Sequence, residues 1–142
     1  MTRQMVTILL VDDDRIDVLA VRRSFAALGI PNPIVEARNG IEALEHLRGE
    51  NGQAQVPEPR LVLLDLNMPR MGGLEFLQEL RADPALAATV VFVLTTSGDD
   101  IDRARAYEQH IAGYVLKHQP GQDFLDSVTM LEHYTRVVEF PS

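Results

Sequence analysis

Short apolar runs alternate with longer amphipathic stretches along the chain. The first run, Val6-Thr7-Ile8-Leu9-Leu10-Val11, is almost continuous and partly β-branched, as expected of a strand buried on both faces. Leu61-Val62-Leu63-Leu64 and Val90-Val91-Phe92-Val93-Leu94 have the same character, and Pro33 to Ala37 and Gly113 to Leu116 are weaker runs of the same kind. Between them the apolar residues fall at helical spacing. Val18, Val21, Phe25 and Leu28 share one face, and Gly29 with Pro31 ends that helix. Ile41, Leu44 and Leu47 form a second stripe closed by Gly49, and Leu74, Leu77 and Leu80 a third stopped by Asp83-Pro84. Asp99 to His110 is poorly patterned, with Ile101, Ala104 and Ile111 as its main apolar positions. A last helix from Asp123 carries Phe124, Val128 and Leu131 and extends toward Val138. Five alternations of strand and helix predict an α/β domain with a parallel sheet covered on both faces. Gly49 to Arg60, with Gly52, Pro57 and Pro59, reads as an exposed loop.

The polar residues that matter stand where the apolar runs stop. Asp12, Asp13 and Asp14 follow the first strand, Asp65 the third, Thr95, Thr96 and Ser97 the fourth, and Lys117 the fifth. In an open parallel sheet these strand ends lie along one edge, where such folds place their sites. Carboxylates crowded there repel one another unless a cation is present or a pKa is raised. Their oxygens suit a hard ion such as Mg²⁺, which keeps waters and is completed by phosphate oxygens. A hydroxyl and an ammonium nearby complement a phosphoryl group. The residues therefore read as carboxylates holding Mg²⁺, one of them able to attack phosphorus. An acid after a strand is also the ordinary N-cap of the next helix, a role open to Asp14 or Asp17.

Composition removes several other classes. The 142 residues include no cysteine, which excludes disulfides, thiolate metal sites and cysteine nucleophiles. Asp and Glu number 21 against 13 Lys and Arg, a formal charge of −8. That sign opposes a stand-alone nucleic-acid binder. No run approaches the roughly 18 apolar residues of a membrane span. Met1 to Gln4 leads into an apolar run too short for a signal peptide, so a soluble cytoplasmic protein is expected. His46, His110, His118 and His133 are scattered and read as surface or packing residues. Tyr107 and Tyr134 read as packing residues, Asp99, Asp100 and Asp102 as complements to a helix N-terminus, and Gly72-Gly73 as a turn.

Taken in order, these residues resemble the receiver domains of two-component response regulators, from about Val6 to Val138. ILLVDDD resembles the family's metal-binding acidic pair, here Asp12 and Asp13. LVLLDLNMPRMGG resembles its phosphorylation segment, with Asp65 as phosphoacceptor. VLTTS places Thr95 as the switch hydroxyl, GYVLK places Lys117 as the conserved lysine, and Tyr114 falls at the switch aromatic. The resemblance implies a doubly wound (βα)5 flavodoxin-like fold with strand order 2-1-3-4-5. It implies that Asp13 and Asp65 ligate Mg²⁺ directly, Asp12 mostly through water, and Asn67 through its backbone carbonyl. Asp65 would take a phosphoryl group from a sensor histidine kinase or a phosphotransfer protein. Thr95 and Tyr114 would then move, changing the partner affinity of the face built by the fourth helix, fifth strand and fifth helix.

Two positions depart from the family pattern. His118 follows Lys117 where proline is usual, and Gly72 precedes Gly73 where an acid is common. The second departure costs a helix cap. The expected receiver spans residues 5–138, with 139–142 a short tail and no output domain. The long loop, TTSGDD and a lysine not followed by proline resemble the stand-alone regulators paired with bacterial phytochromes. That subgroup implies a light-responsive kinase as donor and a homodimer through the last helix and tail. Phe140 would then either pack back or meet a partner.

Two other readings use the same residues. A haloacid dehalogenase-type phosphohydrolase would use Asp12 and Asp14, with Thr95, Lys117 and Asp99-Asp100. Its lysine would then fall after the acidic pair instead of before it, and Asp65 would go unused. A receiver-like binding module that works without phosphorylation is the other alternative.

Overall fold

The computed structural model describes residues 5–66, 68, 70–95, 99–117 and 124–141. Among them the order is β1 (Thr7–Val11), α1 (Arg15–Ala27), β2 (Ile34–Ala37), α2 (Gly40–Arg48), β3 (Arg60–Leu64), α3 (Gly73–Ala82), β4 (Val90–Thr95), α4 (Asp100–Glu108), β5 (Gly113–Leu116) and α5 (Phe124–Val137). The strands form one parallel sheet in the order β2-β1-β3-β4-β5. The parallel sheet is the one expected from the alternation, and its order is the flavodoxin-like doubly wound one that the family resemblance implies.

Two-residue strand periodicity divides the core into two layers. Leu9 and Val11 of β1, Val62 and Leu64 of β3, and Val91 and Val93 of β4 face one way. They pack on Ala43, Leu44 and Leu47 of α2, Phe76, Leu77 and Leu80 of α3, and Ala106 of α4. Ile8 and Leu10, Leu61 and Leu63, and Phe92 and Leu94 face the other way, onto Val18, Val21 and Phe25 of α1 and Val128 and Leu131 of α5. The central strands are thus buried on both faces, which explains their unbroken apolar runs. Edge strands β2 and β5 are mostly half-buried, and their sequences are weaker for that reason.

Several helix faces differ from the expected stripes. Leu28, Ile41, Ile101 and Ala104 are exposed. In α2 the inward positions are Gly40 and Ala43 together with Leu44 and Leu47, because the sheet sees a different edge of the stripe. In α4 only Ala106 is buried, with Ile111 covered just beyond the helix. The loop before β3 is not wholly exposed either. Val56 is buried in the core, and the buried Arg60 guanidinium donates to the carbonyls of Leu47 and Val56. The Glu58–Pro59 peptide in that loop is cis.

The helix ends follow ordinary capping chemistry. Asp14 caps α1 by accepting from the Ile16 N–H, and Asp99 caps α4 by accepting from Ile101 and Asp102. Gly72 caps α3 with no side-chain hydrogen bond, as its lack of a carboxylate requires. Gly73 has a packing role. A Cβ there would lie 2.6 Å from Leu66 Cα, and its N–H donates to the Leu66 carbonyl. That close approach brings α3 onto the segment directly after Asp65.

Gly73→Ala is therefore expected to destabilise the protein by about 1–3 kcal/mol, the usual cost of overpacking a site that cannot relax. Urea unfolding checks this. Wild-type stability in the variant would mean that the contact with Leu66 yields freely.

Candidate functional site at the carboxyl edge of the sheet

Strand pairing brings the polar strand ends together. The N–H of Asp12 donates to the Ala37 carbonyl at 3.0 Å, and that of Asp65 to the Val11 carbonyl at 2.9 Å. The N–H of Lys117 donates to the Thr95 carbonyl at 2.8 Å. These bonds continue the parallel ladders one residue past the strands. They fix Asp12, Asp65, Thr95 and Lys117 along one edge, and all four are buried.

The side chains form a connected polar group. The Thr95 hydroxyl donates to Asp65 Oδ1 at 3.0 Å. Lys117 Nζ donates to Asp12 Oδ2 at 2.8 Å and to Asp17 Oδ2 at 2.6 Å, and lies 3.6 Å from Asp65 Oδ2. Asp12 Oδ1 accepts from the Asp14 N–H at 2.9 Å. Oxygens of Asp12, Asp17 and Asp65 all lie within 4.8 Å of one another. Three carboxylates thus share one ammonium.

The electrostatics follow from that imbalance. Burial pushes the Asp12 carboxyl up to about 6, overriding its bonds to Lys117 and the Asp14 N–H. Burial opposes the charge on Lys117, but Asp12 and Asp17 outweigh it and the ammonium is held more firmly protonated than usual. The donor set is entirely oxygen and carries excess negative charge after Lys117 is counted. It suits a hard divalent cation.

The structure gathers Asp12, Asp65, Thr95 and Lys117 as the sequence led us to expect. Asp13 is exposed and is not one of the three clustered acids. It lines a shallow surface depression with Asp12, Arg15, Glu36, Arg38 and Glu42. Asp14, which the dehalogenase reading needs as a second acid, serves as a helix cap. Tyr114 is half-buried on β5 opposite Val93, with the Arg103 guanidinium 5.3 Å from its ring centre. Asn67, Thr96, Ser97, His118, Pro120 and Asp123 lie outside the described residues.

Asp17 is the residue that sequence reasoning missed as part of this group, having placed it only as a possible cap. A signal was present, because Asp17 lies one helical turn before the buried Val21, at the border of the same face of α1.

The sequence and the fold have counterparts among known proteins. The family model for the response regulator receiver domain matches residues 8–129. The chain belongs to the response regulator receiver family. It is 37% identical over 127 residues to the probable methanogenesis regulatory protein FilR2 of Methanothrix harundinacea, covering 89% of this chain and 81% of that protein. The phosphorylated cyanobacterial phytochrome response regulator RcpA superposes with a TM-score of 0.86 at 32% identity, covering 98% of this receiver and 100% of that chain. The manganese-bound form of response regulator Rcp1 gives a TM-score of 0.84 at 32% identity, covering 96% and 99%.

Asp12 also makes the site sensitive to pH. Its folded pKa lies above the ordinary 3.8, so the native state holds this proton more tightly than the unfolded chain does. Its contribution is favourable below pH 3.8 and is lost as pH rises to about 6, by at most about 3 kcal/mol. Urea unfolding of metal-free protein across that window, compared with Asp12→Asn, checks this. The variant is expected to gain on wild type as pH rises, and saturating Mg²⁺ to shrink the difference. Parallel pH profiles without metal would refute the shift.

Proposed function

We propose that this receiver accepts a phosphoryl group on Asp65 from a phosphohistidine of a sensor histidine kinase or phosphotransfer protein. The observation that carries the reading is the placement of Asp65. Its carboxylate is buried, with one oxygen on the Thr95 hydroxyl and the other 3.6 Å from the Lys117 ammonium. A carboxylate oxygen of Asp65 would form a bond to phosphorus as the nitrogen–phosphorus bond of the donor breaks. The electron pair returns to the imidazole nitrogen.

Charge develops on the phosphoryl oxygens during that transfer. Lys117, already against the Asp65 side of the cluster, would neutralise part of it. We assign Mg²⁺ to the acidic group, held by Asp65 with Asp12, Asp13 and the backbone carbonyl of Asn67. When bound, Mg²⁺ supplies further charge neutralisation and orients the phosphoryl oxygens.

The Thr95 hydroxyl would leave Asp65 Oδ1 for a phosphoryl oxygen, and Tyr114 would follow it inward. Both stand on the same sheet face, on neighbouring strands. The face formed by α4, β5 and α5 would then change its affinity for partners. The protein acts as a phosphoacceptor that supports its own transfer and dephosphorylation, not as an enzyme with an external substrate.

The likeness to RcpA and Rcp1 supports a phytochrome-type kinase as donor. A homodimer through α5 and the tail is the accompanying proposal. Val137 is exposed on α5, while Phe140 turns back against Tyr134 with ring centres 5.8 Å apart. Among the described residues no helix is long and apolar enough to cross a membrane, and we place the receiver in the cytoplasm.

Intact mass after incubation with acetyl phosphate tests the assignment. Wild type is expected to gain one phosphoryl group only with Mg²⁺, and Asp65→Asn to gain none. Lys117→Ala is expected to slow the gain by about a hundredfold, as for loss of one charge-stabilising group. Failure of wild type to gain mass from acetyl phosphate and from a phosphorylated kinase alike would leave a receiver-like binding module.

A further inference from the structure

We infer that Asp17 is a positioning residue for Lys117, holding its ammonium so that one N–H remains directed toward the group transferred to Asp65. This rests on the reading of Asp65 as phosphoacceptor.

An ammonium has three N–H donors at fixed angles. Two are taken here, by Asp12 Oδ2 at 2.8 Å and Asp17 Oδ2 at 2.6 Å. Asp65 Oδ2, at 3.6 Å, is beyond a good hydrogen bond. With two donors anchored, the direction of the third is set. With one anchor, the ammonium on its flexible four-carbon stem could pivot about that contact.

The two anchors are not equivalent. Asp12 belongs to the group assigned to the cation, so a bound metal would share its oxygens. Asp17 lies in the first turn of α1 beside the same acids, but it is not assigned to the cation and would remain with Lys117. Its own position is firm. Asp14 caps the helix, the Val18 N–H donates to the Asp14 carbonyl at 3.1 Å, and Val18 and Val21 are buried beneath. Asp17 itself is only partly covered, with its side chain 25% exposed against 6% for Lys117. It therefore meets the buried ammonium from the solvent side.

The test uses the full chain as wild type, Asp17→Asn and Asp17→Glu. Phosphorylation by acetyl phosphate is followed by intact mass at varied donor and Mg²⁺. The rate at saturating donor and Mg²⁺ is expected to fall about tenfold in Asp17→Asn, equivalent to about 1.4 kcal/mol. The donor concentration for half-maximal rate is expected to stay within about twofold, and Asp17→Glu to recover most of the loss. The ¹H–¹⁵N signal of the Lys117 ammonium in metal-free protein, assigned with Lys117→Ala, is expected to broaden in Asp17→Asn.

Four results would overturn the inference. An Asp17→Asn rate within twofold of wild type would mean that Asp12 alone suffices. A loss that disappears as Mg²⁺ rises would make Asp17 a metal ligand instead. A faster variant would make Asp17 a restraint on Lys117. An unchanged ammonium signal would remove the anchoring itself. The parent reading fails separately, by absence of any phosphoryl gain in wild type, and the inference falls with it.

Discussion

One buried ammonium facing three carboxylates is the constraint on which this receiver depends. Lys117 contacts Asp12 and Asp17 directly and stands near Asp65. Charge of one sign packed this closely away from water is unfavourable by itself. The arrangement persists because the strands beneath it leave no alternative. Residues of β1, β3 and β4 are buried on both sides, and the ladder bonds run on to Asp12, Asp65 and Lys117. The apolar sheet thus stabilises an edge where carboxylates outnumber ammonium groups, and that edge carries the acids of the proposed site.

Energetic unevenness continues into the helices. α1, α2 and α3 each bury several side chains, whereas α4 buries only Ala106. The far end of α4 is tied down instead by Arg81, which donates to the carbonyls of Gln109 and His110 and also to Ala87 and Thr89. A helix with little buried apolar surface opens or shifts at low cost. α4 is thus held at its C-terminal end, and its Arg103 lies over the Tyr114 ring. That is the face the proposed mechanism requires to respond.

Two arginines, Arg60 buried and Arg81 half-buried, serve the frame. Arg60 gathers the carbonyls of α2 and the following loop, and Arg81 gathers those of the α3–β4 connection and the end of α4. Burial lowers the pKa of both guanidinium groups, but each sits among carbonyl acceptors. Their multiple donors satisfy several loop carbonyls at once, which regular ladders leave unpaired.

The strands, their parallel arrangement and the residues at their ends were legible in the sequence, because each depends on local pattern. A strand buried on both faces must be continuously apolar, and its first polar residue marks the edge. Asp12, Asp65, Thr95 and Lys117 could be read in that way. The poorly patterned α4 could not be, since Ile101 and Ala104 look apolar in sequence yet face outward, and the sheet accepts only Ala106. Val56 was hidden in a loop, since its burial depends on that loop folding back, with its N–H on the His46 carbonyl and its carbonyl on the Arg60 guanidinium. The role of Asp17 depended on a partner 100 positions away. Local periodicity dictates which residues point inward from each element. Only the tertiary structure decides which charges then meet, because contact energies depend on distances set by the whole sheet.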